Sequence, residues 1–274
     1  MTNYDRRRVV GGLCGIFAGL LVAPVRRAAS AGNVPVDDKA VLIVVDVQNC
    51  FLPGGSLAVK EGDQIIPVIN ALAKKFGHVV LTQDWHTPGH VSFASAHPGK
   101  KPFEVVKLAY GDQVLWPDHC VQGTPGADIS KDIAIPHAEL IIRKGYHKDV
   151  DSYSAFLEAD KKTATGLAGY LKERGLTRVF VVGLATDFCV AWTAMDARGA
   201  DFETFVIEDA ARGIDASGSL AAAWTAMDAR GSGFETFVIE DAARGIDTRG
   251  SLAAAWTAME KAGVKRIKSG DLAG

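Results

Sequence analysis

Short runs of consecutive apolar residues recur along the chain, and a polar residue follows each of them. The run Val41–Val45 ends at Asp46, and three later runs follow the same pattern: 79–82 ending near Asp84, 140–142 ending near Lys144, and 179–182 ending near Cys189. Continuous β-branched runs are typical of parallel strands buried on both faces. Helical patterns lie between these runs, for example at 65–76 and 164–174.

Strands that alternate with helices predict right-handed βαβ units. We therefore expect an α/β fold with a doubly wound, mainly parallel sheet flanked by helices in three layers. Ligands of such sheets bind beyond the C-terminal ends of the strands. Asp46, Lys144 and Cys189 all follow strand ends, so this edge of the sheet is the expected site.

The C-terminal part of the chain contains an internal repeat. Residues 192–223 recur as 224–255 and differ only at Ala200/Ser232, Asp201/Gly233, Ala216/Thr248 and Ser217/Arg249. This near identity predicts a tandem duplication of one strand and one helix, since a solenoid needs several repeats along most of the chain. We expect the extra βα unit to lengthen the sheet near one edge. The alternative is that one copy is expelled, which would expose an unpaired apolar strand.

The first 31 residues show the pattern of an export signal. Arg6–Arg8 precede an uncharged, Gly-rich apolar run at 9–25, and Arg26, Arg27 and a small-residue stretch follow. Paired arginines and a weakly hydrophobic middle are typical of twin-arginine signals. We expect a periplasmic or secreted protein that contacts membrane only through this segment, followed by one folded domain at 36–274. An uncleaved anchor is one alternative; a misassigned start codon, which implies a cytoplasmic protein, is another.

Composition narrows the function classes. The chain has 274 residues, of which 48% are hydrophobic and 23% charged, so it can bury the core of one large domain. A net charge of -2 with intermixed signs excludes a basic stripe for nucleic acid. Four cysteines do not make a disulfide framework for a chain this long. We expect Cys50 and Cys120 to be buried small apolar residues.

The strand ends supply one carboxylate, one ammonium and one thiol, at Asp46, Lys144 and Cys189. Such a trio can perform nucleophilic acyl transfer: the carboxylate accepts the thiol proton and later delivers it to a leaving amine, while the lysine keeps the carboxylate ionised. We expect the N-terminus of the following helix to lower the pKa of Cys189. Taken singly, the three residues could be a loop cap, a surface charge and a core residue.

A second cluster of polar residues holds Asp84, His86, His90, His97 and His119. One carboxylate with two or three imidazoles suits a borderline divalent ion such as Zn²⁺ or Fe²⁺, with positions left for water or substrate. The alternative is a polar surface loop whose histidines have no function.

The motifs that carry these residues resemble those of the nicotinamidases (pyrazinamidases), a group of isochorismatase-like cysteine hydrolases. The matching segments are 46–51, 84–86, 116–120, 144–145, 151–154 and 183–190. The resemblance runs in order from about Val41 to Val190 and resumes in the final helix. It implies a metal-dependent amidohydrolase that converts nicotinamide to nicotinate and ammonia through a thioester, and that takes pyrazinamide-like amides as well.

The resemblance also implies a role for each matching residue. Asp46, Lys144 and Cys189 would be the catalytic triad, and a cis peptide before Ala185 would let the N–H groups of Ala185 and Cys189 form an oxyanion hole. The remaining implied positions are the metal ligands Asp84, His86 and His119, with His90 as a further histidine, and the substrate contacts Phe51, Trp116 and Tyr153. The implied ion is zinc or iron, with manganese as a further candidate.

Two departures from the family pattern leave alternatives open. The family has one copy of the strand and helix that this chain has twice, and the acidic residue common after Gln48-Asn49 is here Cys50. A related amidase for another small carboxamide, or an inactive binding protein disabled by the duplication, would keep much of the same sequence. The oligomeric state, including a homo-oligomer, is left open.

Overall fold

A computed structural model describes residues 34–215, 237–239, 265–267 and 272–273. The chain divides into two compact units, residues 1–30 and 31–274. The first unit, with the predicted export signal, lies outside the described residues, as does most of the second repeat copy. In the described part of the chain, no helix is both long and apolar enough to cross a bilayer.

The central sheet has five parallel strands in the order β6-β3-β2-β7-β8. Their bounds are β2 Ala40–Val45, β3 His78–Asp84, β6 Leu140–Lys144, β7 Arg178–Leu184 and β8 Glu203–Arg212. Every residue of β2, the middle strand, is buried, as a strand covered on both faces requires. The predicted parallel α/β sheet is confirmed.

Three helices cover the two faces of this sheet: α1 Ile65–Ala73, α2 Leu167–Glu173 and α3 Ala191–Gly199. Successive side chains of a strand point to opposite faces. Leu42 and Val44 accordingly belong to the apolar cluster that contains α1, whereas Val41, Ile43 and Val45 belong to the cluster that contains α2 and α3. The result is the expected three-layer arrangement of helix, sheet and helix.

The smaller elements lie outside this sheet. An antiparallel hairpin joins β4 Val105–Leu108 to β5 Gly111–Val114, and β1 Val34–Pro35 pairs with β11 Leu272–Ala273. Four short 3₁₀ turns also lie in the described residues, at Asn49–Phe51, Gly62–Gln64, Ala94–Ala96 and Pro125–Ala127.

The two copies of the repeat supply two described strands. β8 comes from the first copy and β9, Phe237–Ile239, from the second. β9 pairs in parallel with β10, Lys265–Ile267, in a separate two-stranded sheet. Its Cα atoms approach those of β8 to within 8 Å, but no ladder joins β8 and β9 in the described residues. The lengthened central sheet therefore stays a prediction.

The expectation that Cys50 and Cys120 are unpaired apolar residues is wrong. Both side chains are buried, but they form a disulfide. The 3₁₀ turn that contains Cys50 and the loop that contains Cys120 bring the two Cα atoms to 5.7 Å, within the range that a disulfide spans. A separation of 70 residues gave no sign of this proximity. Cys189 is buried and free.

Gly183 allows the ends of β2 and β7 to approach closely. Its φ is +113°, and a Cβ at this position would lie 2.1 Å from the carbonyl oxygen of Val45. The register between β7 and β8 also shifts here, so that Gly183 pairs with Ala211. Bulges of this kind often lie beside active sites. This close approach sets Asp46 next to the chain segment that leads to Cys189.

We predict that Gly183→Ala strongly destabilises the protein. The new methyl group would overlap backbone, and alanine disfavours a positive φ, so the free energy of unfolding should fall by at least about 2 kcal/mol. Gly169→Ala is the matched control: Gly169 lies exposed in α2 with open space around it, and alanine there should add about 0.5–1 kcal/mol. Urea unfolding measures both. A Gly183→Ala variant as stable as the parent would contradict the close approach.

Candidate active site

The polar residues at the strand ends meet at one edge of the sheet. Asp46 follows β2, Asp84 ends β3 and Lys144 ends β6. Cys189 lies in a π-helical turn, Thr186–Val190, that connects β7 to α3. All four side chains are buried, so the sequence prediction that these residues converge agrees with the structure.

Lys144 is the centre of this cluster. Its Nζ lies 2.7 Å from Asp46 Oδ2 and 2.8 Å from Asp84 Oδ1, and it donates to the carbonyl of Ser152 and, over 3.3 Å, to Cys189 Sγ. Burial lowers the pKa of Lys144, but the carboxylates of Asp46 and Asp84 outweigh burial and raise that pKa well above its ordinary value. The two carboxylates therefore favour the charged form of Lys144.

Asp46 is held by Thr82 through one oxygen and by Lys144 through the other. The Thr82 hydroxyl donates to Asp46 Oδ1 and accepts from the Asp46 backbone N–H. Its Oδ2 faces the Lys144 ammonium at 2.7 Å. Burial raises the pKa of Asp46, and Lys144 opposes that rise. Oδ2 is thus a buried carboxylate oxygen that can accept a proton.

The expectation of a lowered pKa at Cys189 is wrong. Burial raises the pKa of this thiol well above its ordinary value, and the charges of Asp46 and Asp84 add to the rise, while Lys144 opposes it. Helix N-termini lower thiol pKa values at exposed positions, but here the loss of solvent outweighs that effect. Cys189 therefore rests as a thiol and requires a neighbouring base for its activation.

Asp84 also faces two histidines on the side away from Lys144. Its Oδ2 lies 3.1 Å from His86 Nε2 and 3.5 Å from His119 Nε2. The Nδ1–H of His86 donates to the carbonyl of Gly145, and that of His119 donates to the carbonyl of Pro117. Hydrogen bonds at Nδ1 leave Nε2 of each ring as the free ligand atom.

The ligand atoms of Asp84, His86 and His119 all lie within 4.8 Å of one another, and all three residues are buried. One carboxylate oxygen and two imidazole nitrogens form the set of three protein donors that catalytic zinc sites use, with a further position open. The donor chemistry of this cluster therefore fits a divalent transition metal.

His90 lies beside this cluster and belongs to a different set of ligand atoms, with His86 and Asp151. Its ring centroid is 4.3 Å from that of His86. Its Nδ1 bonds the hydroxyl of Ser92 and its Nε2 donates to the carbonyl of His147. The structure thus brings together three of the four predicted ligands, and both ring nitrogens of His90 have other partners.

A pocket of about 320 Å³, part of it open to solvent, lies between the thiol and the candidate metal ligands. All three predicted substrate contacts line it, together with Ala185, whose peptide bond to Leu184 is cis. The full lining is Phe51, Leu57, Asp84, His86, Trp116, His119, Asp151, Tyr153, Ala185, Phe188, Cys189 and Ile214.

Several lining residues were missed by sequence reasoning. Phe188 could have been found from its position directly before Cys189, and Asp151 from its place in a matching motif. Leu57 and Ile214 lie in loops that give no sequence signal of proximity to the site.

Burial raises the pKa of Tyr153 well above its ordinary value, so its hydroxyl stays protonated. The hydroxyl oxygen accepts hydrogen bonds from Trp116 and Gln113.

Comparisons with known proteins agree with this geometry. Residues 40–225 match the family model described as an isochorismatase domain. A curated nicotinamidase from Acinetobacter baylyi is 60% identical over 183 residues, which cover 67% of this chain and 86% of that relative.

Solved structures give the same result. A nicotinamidase and pyrazinamidase from Acinetobacter baumanii has a TM-score of 0.68 at 53% identity, covering 86% of this chain and 98% of that one. A pyrazinamidase from Pyrococcus horikoshii in complex with zinc has a TM-score of 0.59 at 35% identity, covering 74% and 99%. The chain therefore belongs to the isochorismatase family, within its nicotinamidase branch.

Proposed function

We propose that this chain hydrolyses nicotinamide to nicotinate and ammonia through a thioester on Cys189. The observation that carries this proposal is the buried Lys144 ammonium, which lies within 3.3 Å of both the Asp46 carboxylate and the Cys189 thiol beside an aromatic-lined pocket. The 60% identity to a nicotinamidase supports the choice of substrate.

Acylation begins with proton transfer from Cys189 Sγ to the Asp46 carboxylate, whose Oδ2 shares Lys144 with the thiol. The thiolate sulfur then forms a bond to the carboxamide carbon, and the carbonyl π electrons move to the oxygen. Backbone N–H groups of Ala185 and Cys189 are the proposed donors to this oxyanion. Lys144 offsets the negative charge that moves between the thiol and the carboxylate.

Ammonia leaves when Asp46 returns its proton to the amide nitrogen and the carbon–nitrogen bond breaks. A water molecule then gives a proton to Asp46, and its oxygen bonds to the thioester carbon. Cleavage of the carbon–sulfur bond releases nicotinate, and the proton on Asp46 restores the thiol. Asp46 thus acts as base and acid in turn, which suits a carboxyl group whose pKa burial has raised.

The pyridine ring is proposed to lie between Phe51 and Trp116, with Tyr153 along its edge. These side chains line the pocket next to Cys189. Aromatic walls bind a flat ring through burial and stacking, while the strand ends fix the reactive groups. Such positioning is worth a large part of the rate, because misplacement by about 1 Å costs on the order of a hundredfold.

Asp84, His86 and His119 are the proposed ligands of one divalent ion, zinc, iron or manganese, with His90 as a neighbouring histidine. When bound, the ion supplies an electrophilic site that holds the pyridine nitrogen, directly or through water. The donor set of the cluster and the zinc complex of the Pyrococcus horikoshii pyrazinamidase support this assignment.

The duplication is proposed to leave this site intact. Every residue of the triad, the metal cluster and the pocket lies between positions 46 and 214, before the second repeat copy begins at Trp224. The second copy therefore adds chain after a complete site, which favours an active enzyme over a disabled binding protein.

Export by the N-terminal segment is likewise a proposal. The Cys50–Cys120 disulfide supports it, because disulfides persist in oxidising compartments and are rare in the cytosol. The pairing of Cys50 with Cys120 also removes two thiols that could otherwise form a disulfide with Cys189. Among the described cysteines only Cys189 is free.

We predict that Cys189→Ala and Asp46→Asn abolish ammonia release from nicotinamide. Loss of the nucleophile should lower kcat/KM at least about 10⁴-fold, and loss of the base about 10³-fold. A coupled ammonia assay measures both. Asp149→Asn, a change at an exposed aspartate, is the matched control and should behave as the parent. Turnover that survives Cys189→Ala would contradict the thioester route, and a parent that releases no ammonia would contradict the substrate.

We predict that His119→Ala lowers zinc affinity by about a hundredfold or more, because it removes a metal ligand. The loss of a group that only hydrogen-bonds to a ligand already costs up to about a hundredfold. Elemental analysis after dialysis should find about one zinc per chain in the parent and little in the variant. His97→Ala is the matched control, since His97 bonds the carbonyl of Val91 and lies outside the cluster. Equal zinc content in His119→Ala and the parent would contradict the assignment.

A further inference from the structure

Asp187 lies two residues before the nucleophile, and its carboxylate binds backbone. The side chain is buried, and its two oxygens accept the N–H groups of two consecutive residues: Ile214 at 2.9 Å and Asp215 at 2.8 Å. These residues follow the end of β8, 27 and 28 positions later in the chain. One carboxylate therefore ties the turn that carries Cys189 to the loop after β8.

This loop forms one wall of the pocket. Ile214 lines the pocket together with Phe188 and Cys189, and it packs on the apolar cluster beneath. Asp215 has a φ of +51°, a left-handed conformation that aspartate tolerates better than most residues. The path of the loop thus places an aliphatic side chain in the wall of the pocket that Cys189 also lines.

The repeat contains a second copy of the short sequence that Asp187 binds. The sequence Arg-Gly-Ile-Asp occurs at 212–215 and again at 244–247, so Ile214 and Ile246 have identical local sequences. Both oxygens of Asp187 are bonded to the first of these segments. Ile246 lies outside the described residues.

We propose that Asp187 is a positioning residue that holds the first-copy loop against the pocket, so that Ile214, and not Ile246, forms the aliphatic wall beside the bound ring. This inference rests on the proposed function for its substrate. Two hydrogen bonds from consecutive backbone N–H groups to the two oxygens of one side chain fix both the position and the direction of the loop. The duplication can then add a second identical segment without exchanging it for the first.

In this proposal the Ile214 side chain contacts the pyridine ring of the substrate and not the carboxamide bonds that form and break. A lost wall should therefore weaken substrate binding while the chemical step is largely kept, which raises KM and leaves kcat. General destabilisation of the site would instead lower kcat, because the triad geometry would suffer with it. The split between KM and kcat distinguishes a positioning role from a merely structural one.

The first experiment compares Ile214→Ala with Ile246→Ala in the full chain, with nicotinamide as substrate. Ile214→Ala should raise KM about tenfold, the effect of removing a few carbons from an apolar pocket, with kcat within about twofold of the parent. Ile246→Ala should match the parent in both constants. A raised KM in Ile246→Ala, or an unchanged KM in Ile214→Ala, would overturn the proposal.

The second experiment tests the carboxylate by hydrogen exchange at the amides of Ile214 and Asp215. Asp187→Ala should lose protection at both amides, and Asp187→Asn, which keeps one acceptor oxygen, should lose it in part; KM should rise in the same order. Unchanged protection of these two amides in Asp187→Ala would overturn the proposal that Asp187 holds the loop. Hydrogen exchange needs no turnover. A parent that fails to release ammonia would therefore overturn the proposed function, while hydrogen exchange would still test whether Asp187 holds the loop. If Asp187→Ala does not fold, Asp187→Asn supplies the same test.

Discussion

A single buried ammonium determines how the ends of four strands come together. β3 lies between β2 and β6, so Asp84 is the registered partner of Lys144, and Asp46 lies across from both at the end of the middle strand. Two carboxylates brought this close without solvent would repel each other and take up a proton. Lys144 lies within 2.8 Å of both and allows them to stay charged. The packing of the sheet therefore requires a cation between the two carboxylates.

Asp84 links the proposed metal centre to the residues around Cys189. Asp84 contacts Lys144 through Oδ1 and the histidines through Oδ2, so one side chain joins the proposed metal centre to the proposed nucleophile. The chemical consequence concerns Cys189, whose buried thiol has a raised pKa. The disulfide between Cys50 and Cys120 occupies the other two thiols of the described residues, so neither is free to pair with Cys189.

The sequence predicts those parts of the site that depend on strand order alone. Asp46, Asp84, Lys144 and Cys189 follow apolar runs, and parallel strands bring such positions to one edge. The roles of Phe51, Trp116 and Tyr153 came from the family resemblance. Reasoning failed where the outcome depended on distance through the fold: the pKa of Cys189 follows from its burial, the disulfide joins loops 70 residues apart, and Ile214 reaches the pocket through a contact 27 residues away from it in sequence. None of these relations has a periodic or local pattern that a sequence could show.

The central role of Lys144 is to offset the negative charges of Asp46 and Asp84, and unfolding free energies measured with urea in the presence of a chelator test this role directly. Lys144→Met leaves two buried carboxylates without a cation and should cost about 3–5 kcal/mol, whereas the triple variant Lys144→Met, Asp46→Asn, Asp84→Asn removes every charge and should recover most of that loss. A triple variant no more stable than Lys144→Met would show that the ammonium acts through its shape or packing, and would contradict the claim.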